Sequence, residues 1–182
     1  MTTQAVSNRE ERFQAVIELA RRKSKQYGFG WFIDNVFAYS FDKDTFITGQ
    51  YIHEIANRMN TYDWTMDISA RDHFKSTRLY AEIMFDIFTT DKDIECHYFS
   101  YQQGLSAYHL SKVKKMINGN PFFRNFTDLS PMAVSVVHYH NGKAVYQAMP
   151  EGLLSFKRGI HAERIYVDDP LKDPENKLAP TV

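Results

Sequence analysis

The sequence predicts an α/β fold, a mainly parallel sheet covered by helices, on three observations. Helix-period and strand-period runs alternate from Trp64 to Val167. Two β-rich runs, Ala133 to Tyr139 and Ala144 to Met149, join across His140-Asn141-Gly142-Lys143, an Asn-Gly β-hairpin signal. Finally, a strand, a tight turn and a helix with Lys75-Ser76-Thr77 at its start have the layout of a phosphate-binding P-loop.

In chain order, Ser7-Asn8-Arg9-Glu10 fits a capping box, and Phe13, Val16, Ile17 and Ala20 follow at helical spacing. The helix ends in Arg21, Arg22, Lys23 and Lys25, read as cations complementing a helix C-terminus in preference to a nucleic-acid patch. Residues 28 to 45 are aromatic and irregular, with Gly28 and Gly30 breaking the helix. A second helix runs from about Phe46 to Met59 with Ile52, Ile55, Ala56 and Met59 as its apolar stripe, leaving His53 and Glu54 solvated. Residues 1–60 are expected to form an N-terminal helical lid region, and 61–182 the P-loop core.

Trp64-Thr65-Met66-Asp67-Ile68 alternates and reads as a strand. Arg78 to Phe88 reads as a helix that is apolar on most of its circumference, with Arg78, Glu82 and Asp86 as a polar stripe. Ile94 to Tyr101 reads as a strand. Gly104 to Ile117 reads as a helix with Leu110, Val113 and Ile117 inward, stopped by Asn118-Gly119-Asn120-Pro121. Arg164-Ile165-Tyr166-Val167 is a last short strand ending in Asp168-Asp169-Pro170.

Composition narrows the function classes. A chain of 182 residues buries a sizeable core, and one domain is the default. Its 22 basic and 22 acidic residues cancel, so no global field advertises nucleic acid, and any DNA contact must come from a local patch. A single cysteine, Cys96, excludes an internal disulfide and suits a reducing cytoplasm. No apolar run is long enough to span a bilayer, and Glu10 and Glu11 interrupt any signal-peptide core. The expectation is a soluble cytoplasmic protein that does not engage a membrane.

The candidate chemistry lies in two places. A helix's first turn offers free N–H groups and a positive dipole end, and there Lys75 adds a point charge and Ser76 a ligand for Mg²⁺. Ser69 and Phe74 stand where a P-loop has its glycines, and the second position expects a backbone angle comfortable only for small residues. A phosphate site also needs an acidic partner at the end of a neighbouring strand, because Mg²⁺ takes oxygen ligands. Asp168 is the candidate for the metal and its water shell, and Asp169 for orienting and deprotonating an attacking water. His138 and His140 share a strand face, but no third ligand stands at metal-site spacing.

Taken in order, several segments resemble the ATPase domain of the large terminase subunit of tailed bacteriophages, the motor that packages viral DNA. They are Ala70-Arg71-Asp72-His73-Phe74-Lys75-Ser76, Phe99-Ser100-Tyr101 before a helix with His109 and Lys112, Asn120-Pro121-Phe122-Phe123, and Arg158-Gly159 ahead of Tyr166-Val167-Asp168-Asp169-Pro170-Leu171. The resemblance covers roughly residues 46 to 173 and implies ATP and Mg²⁺ as cofactors, with double-stranded DNA, the portal protein and the small terminase subunit as partners of a ring-shaped assembly. It implies that Arg71, Asp72, His73 and Phe74 line the nucleotide loop. Lys75 would grip the β- and γ-phosphates, Ser76 would ligate Mg²⁺, and Thr77 would support the loop. Arg158 matches an arginine finger for a neighbouring subunit, with a salt-bridged loop residue as the other reading. The family's Ser/Thr-rich coupling turn and its nuclease domain have no counterpart in these residues. Two alternatives therefore stand beside the motor: a non-hydrolysing docking module that binds nucleotide, and another P-loop motor such as a helicase, against which the balanced charge counts.

Overall fold

β1 (Ile94–Ser100) is the strand around which the sheet is built. In a computed structural model that describes residues 3–41, 49–66, 74–123, 134–140, 143–155 and 161–171, the strand order is β2-β3-β1-β4. β3 (Lys143–Gly152) and β4 (Arg164–Val167) flank β1 in parallel, with Cys96 opposite both Ala148 and Arg164, and Tyr98 opposite Tyr166. β2 (Val136–His140) pairs antiparallel with β3, as the hairpin signal predicts, with a bulge between His138 and Tyr139; Asn141 and Gly142 lie outside the described residues. The chain is thus α/β with a mixed, mostly parallel sheet, and the described residues include five α-helices.

One sheet face carries Cys96, Tyr98, Val136, Tyr146, Ala148 and Tyr166 into a core shared with all five helices. Residues of the opposite parity on β4, Ile165 and Val167, are 55% and 48% exposed. α5 (Gln103–Gly119) lays Leu110, Val113 and Ile117 on the core face, as their spacing predicts. Its first turn runs against the end of β3, where a Cβ on Gly152 would lie 2.6 Å from the Gln103 nitrogen, so only glycine fits. α4 (Lys75–Thr89) buries Ile83, Met84, Ile87 and Phe88 completely. Each such side chain contributes about 1.5–3 kcal/mol of transfer free energy.

The N-terminal helices join the same core. α1 (Thr3–Tyr27) buries Ile17, Ala20 and Ser24, while Val16, expected on that stripe, is 52% exposed, because the stripe steps 13-17-20-24 around the helix. The helix also begins four residues before Ser7, which places the predicted capping box inside it. Gly28, with φ of 83°, breaks α1, whereas Gly30 lies inside a further helix, α2 (Phe29–Asn35). Burial of Phe29, Phe32 and Ile33 outweighs glycine's poor helix propensity there. α3 (Gln50–Thr61) buries Ile52 and Ala56, and its His53, expected to be solvated, reaches Asp34 of α2 at 3.2 Å.

Two of the α1 cations, Arg21 and Lys25, serve the end of a different helix, whereas Arg22 pairs with Glu18 of α1 itself. Arg21 donates from Nε to the Phe88 carbonyl (3.0 Å) and from Nη2 to that of Thr90 (3.1 Å), and both Arg21 and Lys25 pair with Asp91. These contacts satisfy carbonyls that the end of α4 leaves open. Asn120, which ends α5, is buried and donates to the Val36 carbonyl (2.8 Å) and Ser40 Oγ (2.9 Å). It ties the sheet's crossover helix to the N-terminal segment.

One predicted element is not formed as expected. Trp64, Thr65 and Met66 have no regular secondary structure, and Trp64 and Met66 are 88% and 86% exposed. Asp67 and Ile68 lie outside the described residues. Alternation marks a strand only where a sheet receives its apolar side, and here those side chains face solvent. No described helix is long and apolar enough to cross a membrane.

Candidate functional site

α4 runs antiparallel to β1 and β4. Asp86, in its second half, meets Arg164 at the start of β4 (2.9 Å), whereas Tyr80, near its beginning, meets His109, whose imidazole is 3.8 Å from Asp168 at the end of β4. The first turn of α4 therefore lies toward the C-terminal edge of the parallel strands, the edge at which open α/β sheets bind ligands.

That first turn is Lys75, Ser76 and Thr77, where the motif places them. Among the described residues no side chain caps it, and no acidic residue stands in it, so the helix itself does not compensate its N–H groups and positive dipole end. Phe74 precedes it in the left-handed region, at φ 65° and ψ 14°. Glycine adopts that geometry freely; any other side chain costs about 1–2 kcal/mol. The Phe74 ring offsets the cost by packing edge-on against the fully buried Phe37, with centroids 6.3 Å apart.

On the strand side, Asp168 extends the β1–β4 ladder, its N–H donating to the Phe99 carbonyl at 2.9 Å. Its side chain is only 5% exposed, and the Tyr98 hydroxyl donates to Oδ2 at 2.8 Å. The Tyr98 ring packs along His109 (5.6 Å between centroids, 31°), and His109 Nδ1 shares a 2.5 Å hydrogen bond with the Tyr80 hydroxyl. Burial pushes both phenols well above the usual tyrosine range, so they remain donors at neutral pH. Burial also lowers His109, against the opposing pull of Asp168 and Asp169, which keeps the imidazole neutral. Among the described residues no lysine or arginine pairs with Asp168. Two buried polar atoms, Ser100 Oγ and His109 Nε2, also have no hydrogen-bond partner among the described residues.

Asp169 is exposed, with φ of 45°, a conformation aspartate tolerates better than most residues, and its carbonyl accepts from the Tyr101 N–H at 3.1 Å. The structure thus brings the Lys75–Thr77 turn and the Asp168-Asp169 pair to one edge of the sheet. Arg71, Asp72, His73 and Arg158 lie outside the described residues. Sequence reasoning gave no role to Tyr80, Tyr98 and His109. The available signal was position: His109 stands next to the inward Leu110 and four residues before the inward Val113, and a histidine buried on a packed stripe needs a polar partner. A scan of family models, a search of curated proteins and a search of solved structures each return no match to this chain.

Proposed function

We propose that this chain binds and hydrolyses Mg-ATP as the motor domain of a viral DNA-packaging complex of the terminase large-subunit kind, acting on double-stranded DNA through an assembled ring. The observation that carries the reading is the shared edge: a helix start bearing Lys75 and Ser76 that no described side chain caps, and a buried carboxylate, Asp168, that no described cation neutralises. The donor chemistry fits a magnesium nucleotide, since a hydroxyl, a carboxylate and water are hard oxygen ligands. Lys75 and the first-turn N–H groups would hold the phosphates. Ser76 and Asp168 would hold the metal, and Arg71, Asp72, His73 and Phe74 would line the loop, with Thr77 in support. Bound Mg²⁺ neutralises charge on the β- and γ-phosphate oxygens. Asp169 would orient the attacking water, and Arg158 would reach the nucleotide of a neighbouring subunit.

A second reading, a docking module that binds nucleotide without turning it over, is favoured by Trp64–Met66, which do not form the strand that would precede the loop. Nucleotide affinity and phosphate release separate the two. The motor reading expects Mg-ATP turnover by the purified chain or the assembled complex, and at least about a tenfold loss of affinity in Lys75→Ala at unchanged melting temperature. Binding without turnover selects the docking module. No binding, and no effect of Lys75→Ala, rejects both.

A further inference from the structure

Four elements meet at one point beneath the proposed site. Tyr98 of β1 donates to Asp168 of β4, His109 of α5 lies along the Tyr98 ring, and Tyr80 of α4 holds His109 by its Nδ1. Tyr80 stands five residues into the helix whose first turn carries Lys75 and Ser76. We infer that Tyr98 is a positioning residue that fixes the Asp168 carboxylate for a divalent cation, and that the His109–Tyr80 bridge keeps the Tyr98 phenol aimed. This rests on the nucleotide reading of the same edge.

The physical argument is one of orientation. A carboxylate at the end of a strand swings about its side-chain torsions, and a single donor on one oxygen removes most of that freedom. Tyr98 occupies Oδ2 and leaves the other oxygen to a cation. The donor is a neutral hydroxyl, not a lysine or arginine, so it orients the carboxylate without cancelling the negative charge a cation needs. Such outer-shell hydrogen bonds are worth about 10–100-fold in metal affinity. The bridge behind it is rigid for a separate reason. Tyr98 is fully buried and Tyr80 and His109 nearly so, the His109 ring is held from one side by the Tyr80 hydrogen bond, and Tyr98 packs against it at 5.6 Å. The same bridge links the cation side of the site to the helix that bears the phosphate side.

The test is a nucleotide titration with and without Mg²⁺, using a fluorescent ATP analogue, on wild type, Tyr98→Phe, Asp168→Asn and the double variant. The quantity read is the tightening of nucleotide binding by Mg²⁺, with the Mg²⁺-free affinity of each protein as its own reference. Tyr98→Phe keeps the ring and deletes only the hydroxyl, and it is expected to reduce the tightening about tenfold. In the Asp168→Asn background the same change is expected to have no further effect, because Tyr98 acts through Asp168. A general loosening of the fold lowers both affinities together and adds to Asp168→Asn, and that result overturns the inference. So does full Mg²⁺ tightening in Tyr98→Phe. Should Tyr98→Phe fold poorly, Tyr80→Phe reads the same bridge from the far side, with a smaller loss in the same direction expected and no loss overturning it. Wild-type protein that binds no nucleotide at all overturns the nucleotide reading and this inference with it, an outcome distinct from a wild type that binds and a variant that matches it.

Discussion

Two buried polar clusters lie between α4 and β4, one at each end of their contact, and they are built on opposite principles. At the N-terminal end of β4, Asp86 accepts from the Arg164 guanidinium (2.9 Å) and from the Tyr166 hydroxyl (2.7 Å), while Glu82 lies 3.8 Å from the same arginine. At the C-terminal end, Asp168 accepts from a phenol and faces a neutral histidine. The first cluster contains its own cation and closes on itself. The second leaves a carboxylate that no described cation compensates at the edge where the α4 dipole begins. Buried charge without a partner is costly, and chains keep it where something else is to bind. On the nucleotide reading proposed above, the difference separates a cluster that serves the fold from one that serves a ligand.

Removing the cation from the first cluster is the largest perturbation expected at either end of this contact. Arg164→Met strands Asp86 and Glu82 in the core, and is expected to cost about 2–3 kcal/mol in urea unfolding at pH 8, tempered by the partial exposure of the arginine. The loss should shrink at pH 5, where the carboxylates take up protons. Burial raises Glu82 to about 7, with the nearby Asp86 adding to the shift, and raises Asp86 to about 6. A carboxyl whose folded pKa lies above its unfolded value favours folding while protonated, and that contribution fades as pH rises through the folded value. Wild-type stability is therefore expected to fall between pH 5 and pH 8. Glu82→Gln holds the group neutral and should gain about 1–2 kcal/mol at pH 8, much less at pH 5 and nothing well below pH 4. A pH-independent Glu82→Gln would break the assignment of this cluster.

Much of this arrangement was legible in the residues, and the parts that were not share a cause. β1, β4 and the hairpin carry their own local signals, and Asn-Gly marks its turn without help from elsewhere. The start of α4 at Lys75 and the acidic end of β4 were equally local. The four-residue spacing of Arg78, Glu82 and Asp86 marked a polar stripe, but not its direction. Asp86 is 3% exposed because its partners, Arg164 and Tyr166, stand about 80 positions later in the chain. The same holds for Tyr80 and His109, brought together from different helices. Trp64–Met66 failed in the other direction: their alternation was locally sound, and no described strand takes it up.

The second cluster is expected to respond far less to charge removal. Asp168→Asn preserves an acceptor for the Tyr98 hydroxyl and removes a charge that no described cation balances. Its effect on unfolding free energy is expected to stay within about 1 kcal/mol, of either sign. A loss as large as that of Arg164→Met would show that Asp168 is structural after all, and would erase the contrast between the two ends of the contact.

The smallest effect is expected at Phe74, where two terms oppose each other. Phe74→Gly relieves a left-handed backbone worth about 1–2 kcal/mol. It also gives up the half-buried ring that packs on Phe37, worth about the same. The net change in thermal unfolding should stay below about 1 kcal/mol, whereas Phe37→Ala, fully buried and with no strain to release, should cost about 3–5 kcal/mol. If Phe74→Gly destabilises as much as Phe37→Ala, the ring is a core residue whose packing outweighs any demand of the loop. If it leaves stability unchanged and tightens nucleotide binding, the backbone angle at this position serves the phosphate end of α4, and the phenyl ring is the substitute the chain uses to hold a glycine geometry without a glycine.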